Sequence, residues 1–374
     1  GLAAVATVTP RLMAQEPRFD FSKFVERQLA EHSEELFGIR RPLAESALGP
    51  YDGADNLQAI QVAPGLRVSL VSSSVASAAD QIAFWPNDDR PRYVFVCDEE
   101  TTTPAVQRVD LTQPPASNAT TIVTGLSSCD PVRRTPWGTI LVGEENGANG
   151  GLYELIDPAN INTPIAVTDR ATGANSDPLH LVKRKAAGLL SYEGLGIWND
   201  GTMIYGDELA PSNGAAGGAI YKFVPSIPWT GGPAITVPAQ SPLAAGTVYG
   251  LRVAASGSSR WGQGAETGKG AWVAVNLSGA NVLDANGNII LETAQRLQGF
   301  TGYYRPEDMD VDPIAAAKGT FKVCWANTGR KSHTANSIVE NSAVQSEIMC
   351  LTEEGDRKST RLNSSHITIS YAVF

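Results

Sequence analysis

Histidine and cysteine are scarce in this chain, with four of each among 374 residues. Cys97, Cys129, Cys324 and Cys350 stand far apart and form no CxxC pair. Their spacing therefore signals neither a zinc ribbon nor a disulfide scaffold, and it leaves a free thiolate open. No apolar run reaches the roughly 18 residues that a membrane-spanning helix needs. Basic residues are outnumbered, 29 Lys and Arg against 39 Asp and Glu, for a net charge of -10. That balance excludes the basic face with which nucleic-acid binders neutralise phosphates. Also missing are a Gly-rich phosphate loop, a G-x-S-x-G elbow and an HExxH helix. Ser191 has no histidine near it in sequence and reads as structural.

What is present is 42% hydrophobic content with 36 glycines and 23 prolines, enough apolar material for a sizeable core. After residue 50, short β-rich runs alternate with turn sequences such as "NDGT", "DANGN" and "GANGG", which predicts an all-β fold. Ahead of it, within a helical segment over 17–50, "SKFVERQLAEHSEELFG" sets Phe24, Leu29, Leu36 and Phe37 near helical spacing and closes on Gly38. A short amphipathic N-terminal helix is expected there, docked on the main body, with His32 at the surface. Residues 1–16 read as the rear of a secretory signal, which places the protein in the periplasm or outside the cell. Asp356–Phe374, "DRKSTRLNSSHITISYAVF", reverse-translates codon by codon into a common sequencing-library adapter. It is expected to be adapter-derived, with the genuine product cut near Gly355, and His366 carries no functional weight.

The region 51–355 repeats itself. "TPWGTILVGEE" and "IWNDGTMIYGDE" share a Trp, a turn, Gly-Thr, apolar positions, Gly and two acids. "RPRYVFVCDEE" keeps the strand and acidic end, "KGTFKVCWANTG" keeps the Gly-Thr strand, and "GKGAWVAVNLSG" is a fainter relative. Such units predict a β-propeller with one blade each, about six in the parent and incomplete here. Trp85, Trp137, Trp198, Trp272 and Trp325 recur near these strands and are expected between blades. His180 is expected in an exposed loop. If the acid-ending strands are the inner ones, Glu99, Glu144, Glu145, Asp207, Glu208 and Asn327 converge at one mouth of the channel. Oxygen ligands at that density suit a hard cation, above all Ca²⁺.

"CDPVRRTPWGTILVGEEN", "SYEGLGIWNDGTMIYGDE", "AIYKFVPS" and "YYRPEDMDVDP" followed by "WANTGR" resemble, in order, the blocks of the PhoX-type alkaline phosphatases. The resemblance spans about Ala79 to Arg330. It implies an exported β-propeller phosphomonoesterase with Ca²⁺ and Fe³⁺ together in its active site, acting on small-molecule phosphate monoesters as a monomer. Carried over by matched position, Cys129 would bind iron as a thiolate. Glu193 and Glu307 would hold or bridge metals, and Arg305 would face the phosphate. Glu99 and either Glu144 or Glu145 would bind calcium or orient its ligands. The chain departs from the family in "DPVRR", which is one residue longer and could bring Arg133 or Arg134 to the substrate. It departs again in Cys97-Asp98-Glu99, where the family tends to have Asn-His-Glu. The family's last acidic block would fall beyond Gly355, so weak activity or none is expected of this chain. Two other readings fit the acids alone: a calcium-dependent propeller hydrolase acting on lactones or similar esters, and a non-catalytic secreted propeller closed by calcium.

Overall fold

The computed structural model describes residues 27–28, 31–41, 57, 60–100, 102–209, 217–253, 267–329, 347–354 and 366–372. The signal-like residues 1–16, Phe24, Leu29 and Arg330 lie outside them. The chain divides into two units, Gly1–Val71 and Ser72–Phe374. In the first, a helix over Ser33–Phe37 ends at Gly38, whose left-handed backbone (φ 71°) supplies the expected glycine stop. His32 is at the surface, 3.5 Å from Glu35.

The second unit is mostly β. In chain order its strands are β1 (Ala79–Trp85), β2 (Tyr93–Asp98), β3 (Val106–Asp110), β4 (Ala119–Thr124), β5 (Cys129–Arg134), β6 (Thr139–Glu144), β7 (Leu152–Ile156), β8 (Ile165–Asp169), β9 (Ala174–Asn175) and β10 (Leu181–Lys183). They continue with β11 (Tyr192–Ile197), β12 (Met203–Asp207), β13 (Ile220–Pro225), β14 (Gly246–Val253), β15 (Gly268–Ala274), β16 (Pro306–Val311), β17 (Lys322–Asn327), β18 (Glu347–Glu354) and β19 (His366–Ala372). Strands β1 to β4 form an antiparallel meander extended by β8 and β9. Strands β5, β6, β7 and β10 form a second, and β11 to β14 a third that β15 and β19 join to a fourth made of β18, β17 and β16. Among the described residues each sheet is open. The first strands of the meanders stand side by side, β1 against β5, β5 against β11 and β11 against β16.

Why these segments are strands is plain from their alternation. In β6, Ile140 and Val142 point into an apolar cluster with Phe95, Val132 and Tyr153, while Leu141 points into another with Tyr192, Met203 and Tyr205. In β12, Ile204 faces a third cluster with Met309, Val323 and Trp325. Strands β6 and β12 thus bury both faces, which is why "TILV" and "MIY" read as continuous apolar runs. Trp137, Trp198, Trp272 and Trp325 are buried in these clusters, and Trp85 is partly buried against the second. The recurring Gly-Thr has a backbone cause: Gly138, Gly201 and Gly319 turn the chain with φ of 76°, 88° and 77°. A side chain disfavours that region, so glycine stands at each turn. Strand β19, in the segment expected to be foreign, pairs with β15 and β18. An alternating sequence such as "HITISYA" can fill an open sheet edge whatever its origin.

One buried carboxylate ties the second meander to the third. Glu154 accepts bonds from Trp137 Nε1 (2.6 Å), Thr139 Oγ1 (2.6 Å), Arg184 Nε (2.6 Å) and Ser241 Oγ (2.8 Å). Both Glu154 and Arg184 are buried. Truncation by Glu154→Ala strands the Arg184 charge and is expected to cost about 3–5 kcal/mol, read as a lower urea midpoint at unchanged slope.

Candidate metal centre

The first strands of the four meanders share one local design. Ala79–Asp80, Cys129–Asp130, Tyr192–Glu193 and Pro306–Glu307 open β1, β5, β11 and β16, and in each the register slips just beyond the opening residue. The opening residues lie opposite Asp98, Glu144, Asp207 and Asn327, which end β2, β6, β12 and β17. One residue further, the backbone N–H groups of Glu99, Glu145, Glu208 and Thr328 donate to the carbonyls of Ala78, Ser128, Ser191 and Arg305. A bulge at the same place in every meander re-aims the following side chain. It sets the acid of the inner strand beside the residue that follows the second strand.

This places the expected residues differently from the sequence reading. The acid-ending strands are second strands, not the inner ones. Consecutive residues at a strand end point to opposite sides, so each acidic pair is divided. Glu145 and Glu208 join the group, and Glu99 interacts with both Glu145 and Asp130. Glu144 does not join: it turns away to accept from the N–H groups of Ser127 (2.9 Å) and Gly151 (3.0 Å) and from Arg170 Nε (2.6 Å). Asp207 is likewise buried on the far side, and Asn327 bonds Trp325 Nε1 (2.9 Å) and Glu347 (3.1 Å). Arg133 and Arg134 brace strands by binding the carbonyls of Met309 and Phe84. Ser191 accepts from the Gly147 N–H, in keeping with a structural role. His180 is partly exposed and bonds Asp177 at 2.7 Å.

Cys129 is the largest correction. It is bonded to Cys97, as Cys324 is to Cys350. Strands β2 and β5 bring the Cα atoms of Cys97 and Cys129 to 5.1 Å across 32 residues, a proximity that linear spacing does not show. A disulfide sulfur is no thiolate, so Cys129 does not fit the iron ligand implied by the resemblance.

The remaining acids form a continuous group. Glu193 is pushed up to about 12, chiefly by burial and then by Asp130. It accepts from Gln81 Nε2 at 3.1 Å. Asp130 is pushed up to about 7, mainly by burial, with Asp80 and Glu99 adding to the effect. Glu145 is pushed up to about 9 by burial and by its hydrogen bond to Glu208. Burial also raises Glu307, against the pull of Thr328 Oγ1 at 2.6 Å and of Arg305. Arg305 Nε bonds Glu208 at 2.5 Å while its Nη2 lies 2.9 Å from Glu307. Burial opposes the arginine's charge, but Glu208, Glu307 and Glu145 outweigh it and raise its pKa. Among the described residues no three acidic, His or Cys side chains already stand in coordination geometry; here they pair through protons and Arg305. Oxygen donors gathered this way suit hard cations, which would replace the shared protons. Asp80 and Asp130 carry no signal in the sequence, because the bulge that sets them beside the group belongs to the hairpin partner of each repeat.

Carboxyls raised on folding stabilise the cation-free protein at low pH, and that contribution is lost as pH rises through the folded values. The cation-free chain is therefore expected to lose thermal stability steadily from about pH 5 to pH 9, the span set by Asp130 near 7 and Glu145 near 9. Calcium should flatten the loss, and its uptake at pH 8 should release about two protons, read by calorimetry in buffers of different ionisation heat. Comparison with protein-family models and with curated proteins gives no match for this chain.

Proposed function

We propose that the second unit has the β-propeller architecture and carries a calcium-dependent phosphomonoesterase centre of the PhoX type, in an exported protein. Four meanders with inner strands side by side support the propeller reading. The observation that carries the activity is Arg305. Ala78, Ser128 and Ser191 occupy the equivalent positions of the other meanders, so among them the acidic repeat holds a cation only here; the left-handed backbone of Arg305 (φ 53°) is shared by Ser128 (φ 47°) and belongs to the repeated bulge.

The oxygen donors of Glu99, Asp130, Glu145, Glu193, Glu208 and Glu307 fit calcium, which when bound supplies charge to neutralise phosphoryl oxygens and to acidify a water. The Arg305 fork, now held by Glu208 and Glu307, matches two oxygens of a phosphate. Phosphate would take the place of one carboxylate, and that carboxylate would turn to a cation. The residues present do not fit iron, since Cys129 offers no thiolate. That same disulfide favours a second reading, the single-calcium ester or lactone hydrolase, which needs the acids but not Cys129.

With calcium shown to be bound, the chain is expected to bind inorganic phosphate and to turn over p-nitrophenyl phosphate slowly. Arg305→Gln should lower kcat/KM for that substrate by about 10²-fold while leaving phenyl acetate hydrolysis unchanged. Ester turnover with neither phosphate binding nor phosphatase activity would move the assignment to the second reading. Inactivity towards both, with calcium bound, would defeat the catalytic proposal.

A further inference from the structure

A cavity of about 540 Å³ lies between the end of β8, the turn Gly147–Asn149 and the turn at 284–288. Sites for small molecules span roughly 300–1,000 Å³, so this one has room for an organic ligand. One peptide ties its walls together. The Ala171 carbonyl accepts from Asn288 Nδ2 (3.0 Å) and Lys183 Nζ (3.4 Å), and the Arg170 carbonyl accepts from Lys183 Nζ (2.7 Å). All four residues line the cavity, with Asn288 0% and Lys183 8% exposed.

These walls carry polar groups with nothing to bond. Arg170 gives Nε to Glu144 at 2.6 Å, while its other N–H groups make no bond among the described residues, and Nη2 is buried as well. Asn288 Oδ1 is likewise buried and unpartnered. Asn149, exposed in the same lining, makes no side-chain bond among the described residues. Leaving polar groups unmet beside a space of this size is costly unless a molecule in it meets them.

Charge decides which kind of molecule fits. Asp169 and Asp284 also line the cavity, but their own turns occupy them. Asp169 accepts from the Ala171 N–H (2.9 Å) and from Thr172 Oγ1 (2.7 Å). Asp284 accepts from the N–H groups of Asn286 and Asn288 (2.8 Å each) and from Asn288 Nδ2 (2.7 Å). A cation therefore finds no free carboxylate here. An anion finds Arg170 already neutralised by Glu144, and two carboxylates in the same walls. What remains is N–H donors together with amide oxygens, and hydroxyl groups, which both donate and accept, complement that set.

We propose that this cavity binds a neutral polyhydroxylated molecule of the size of a mono- or disaccharide. Its hydroxyls accept from Arg170 and Asn149 and donate to amide oxygens of the asparagines. The site shares no residue with the carboxylates around Arg305 and does not rest on the catalytic reading.

Saturation-transfer NMR on the full chain tests this, with glucose, galactose, maltose and sucrose as probes. Saturable transfer to at least one of the four is expected. Arg170→Lys keeps a positive charge beside Glu144 but removes the guanidinium fork, and should weaken binding of that sugar about 10-fold, with Asn149→Ala weakening it about 5-fold. Absence of saturable transfer to all four sugars overturns the proposal, as does an affinity unchanged in both variants. Should Arg170→Lys fail to fold, an unchanged affinity in Asn149→Ala, whose side chain is exposed, overturns it alone.

Discussion

The cost of taking carboxylates out of water governs the middle of this protein. Glu99, Asp130, Glu145, Glu193, Glu208 and Glu307 interact with one another at the inner strand ends, with the exposed Asp80 beside Asp130, and burial is the first cause of every raised pKa among them. Without cations the group is stabilised by keeping protons on Glu193 and Glu145 and by one guanidinium, Arg305. Each of these compensations is one that a cation or a phosphate can replace, so the same repulsion that burdens the empty fold supplies affinity for ligands.

The scaffold that imposes this crowding is itself apolar. Strands β5, β6, β11 and β12, buried on both faces, pack the meanders against each other through three aliphatic and aromatic clusters. Glu154 shows the other way to bury a carboxylate: four donors, one of them Arg184, satisfy it, and it serves as a tie rather than a site. Glu144 follows that pattern with Arg170.

Division of the acidic pairs is the point at which linear reading and structure part. A pair such as Glu144-Glu145 looks like two ligands side by side, yet strand alternation sends one into the loop behind the sheet and the other to the centre. Asp130, which completes the centre, lies on the neighbouring strand and is turned inward by a bulge that no short motif announces, while Asp80, at the same place in β1, stays exposed beside it. Cys97 and Cys129 illustrate the same limit: 32 residues apart, they meet because β2 and β5 belong to adjacent meanders.

By itself the sequence determined the all-β character, the turn glycines before β6, β12 and β17, the apolar strands and their tryptophans, and the repeated acidic endings. These follow from local causes: backbone φ at a turn, side-chain period along a strand and hydrophobic content. Only the tertiary structure decided which acid of each pair reaches the centre and that Cys129 is spent on a disulfide. Those outcomes depend on which strands become neighbours and where their register slips, and such contacts are set by packing between segments distant in sequence.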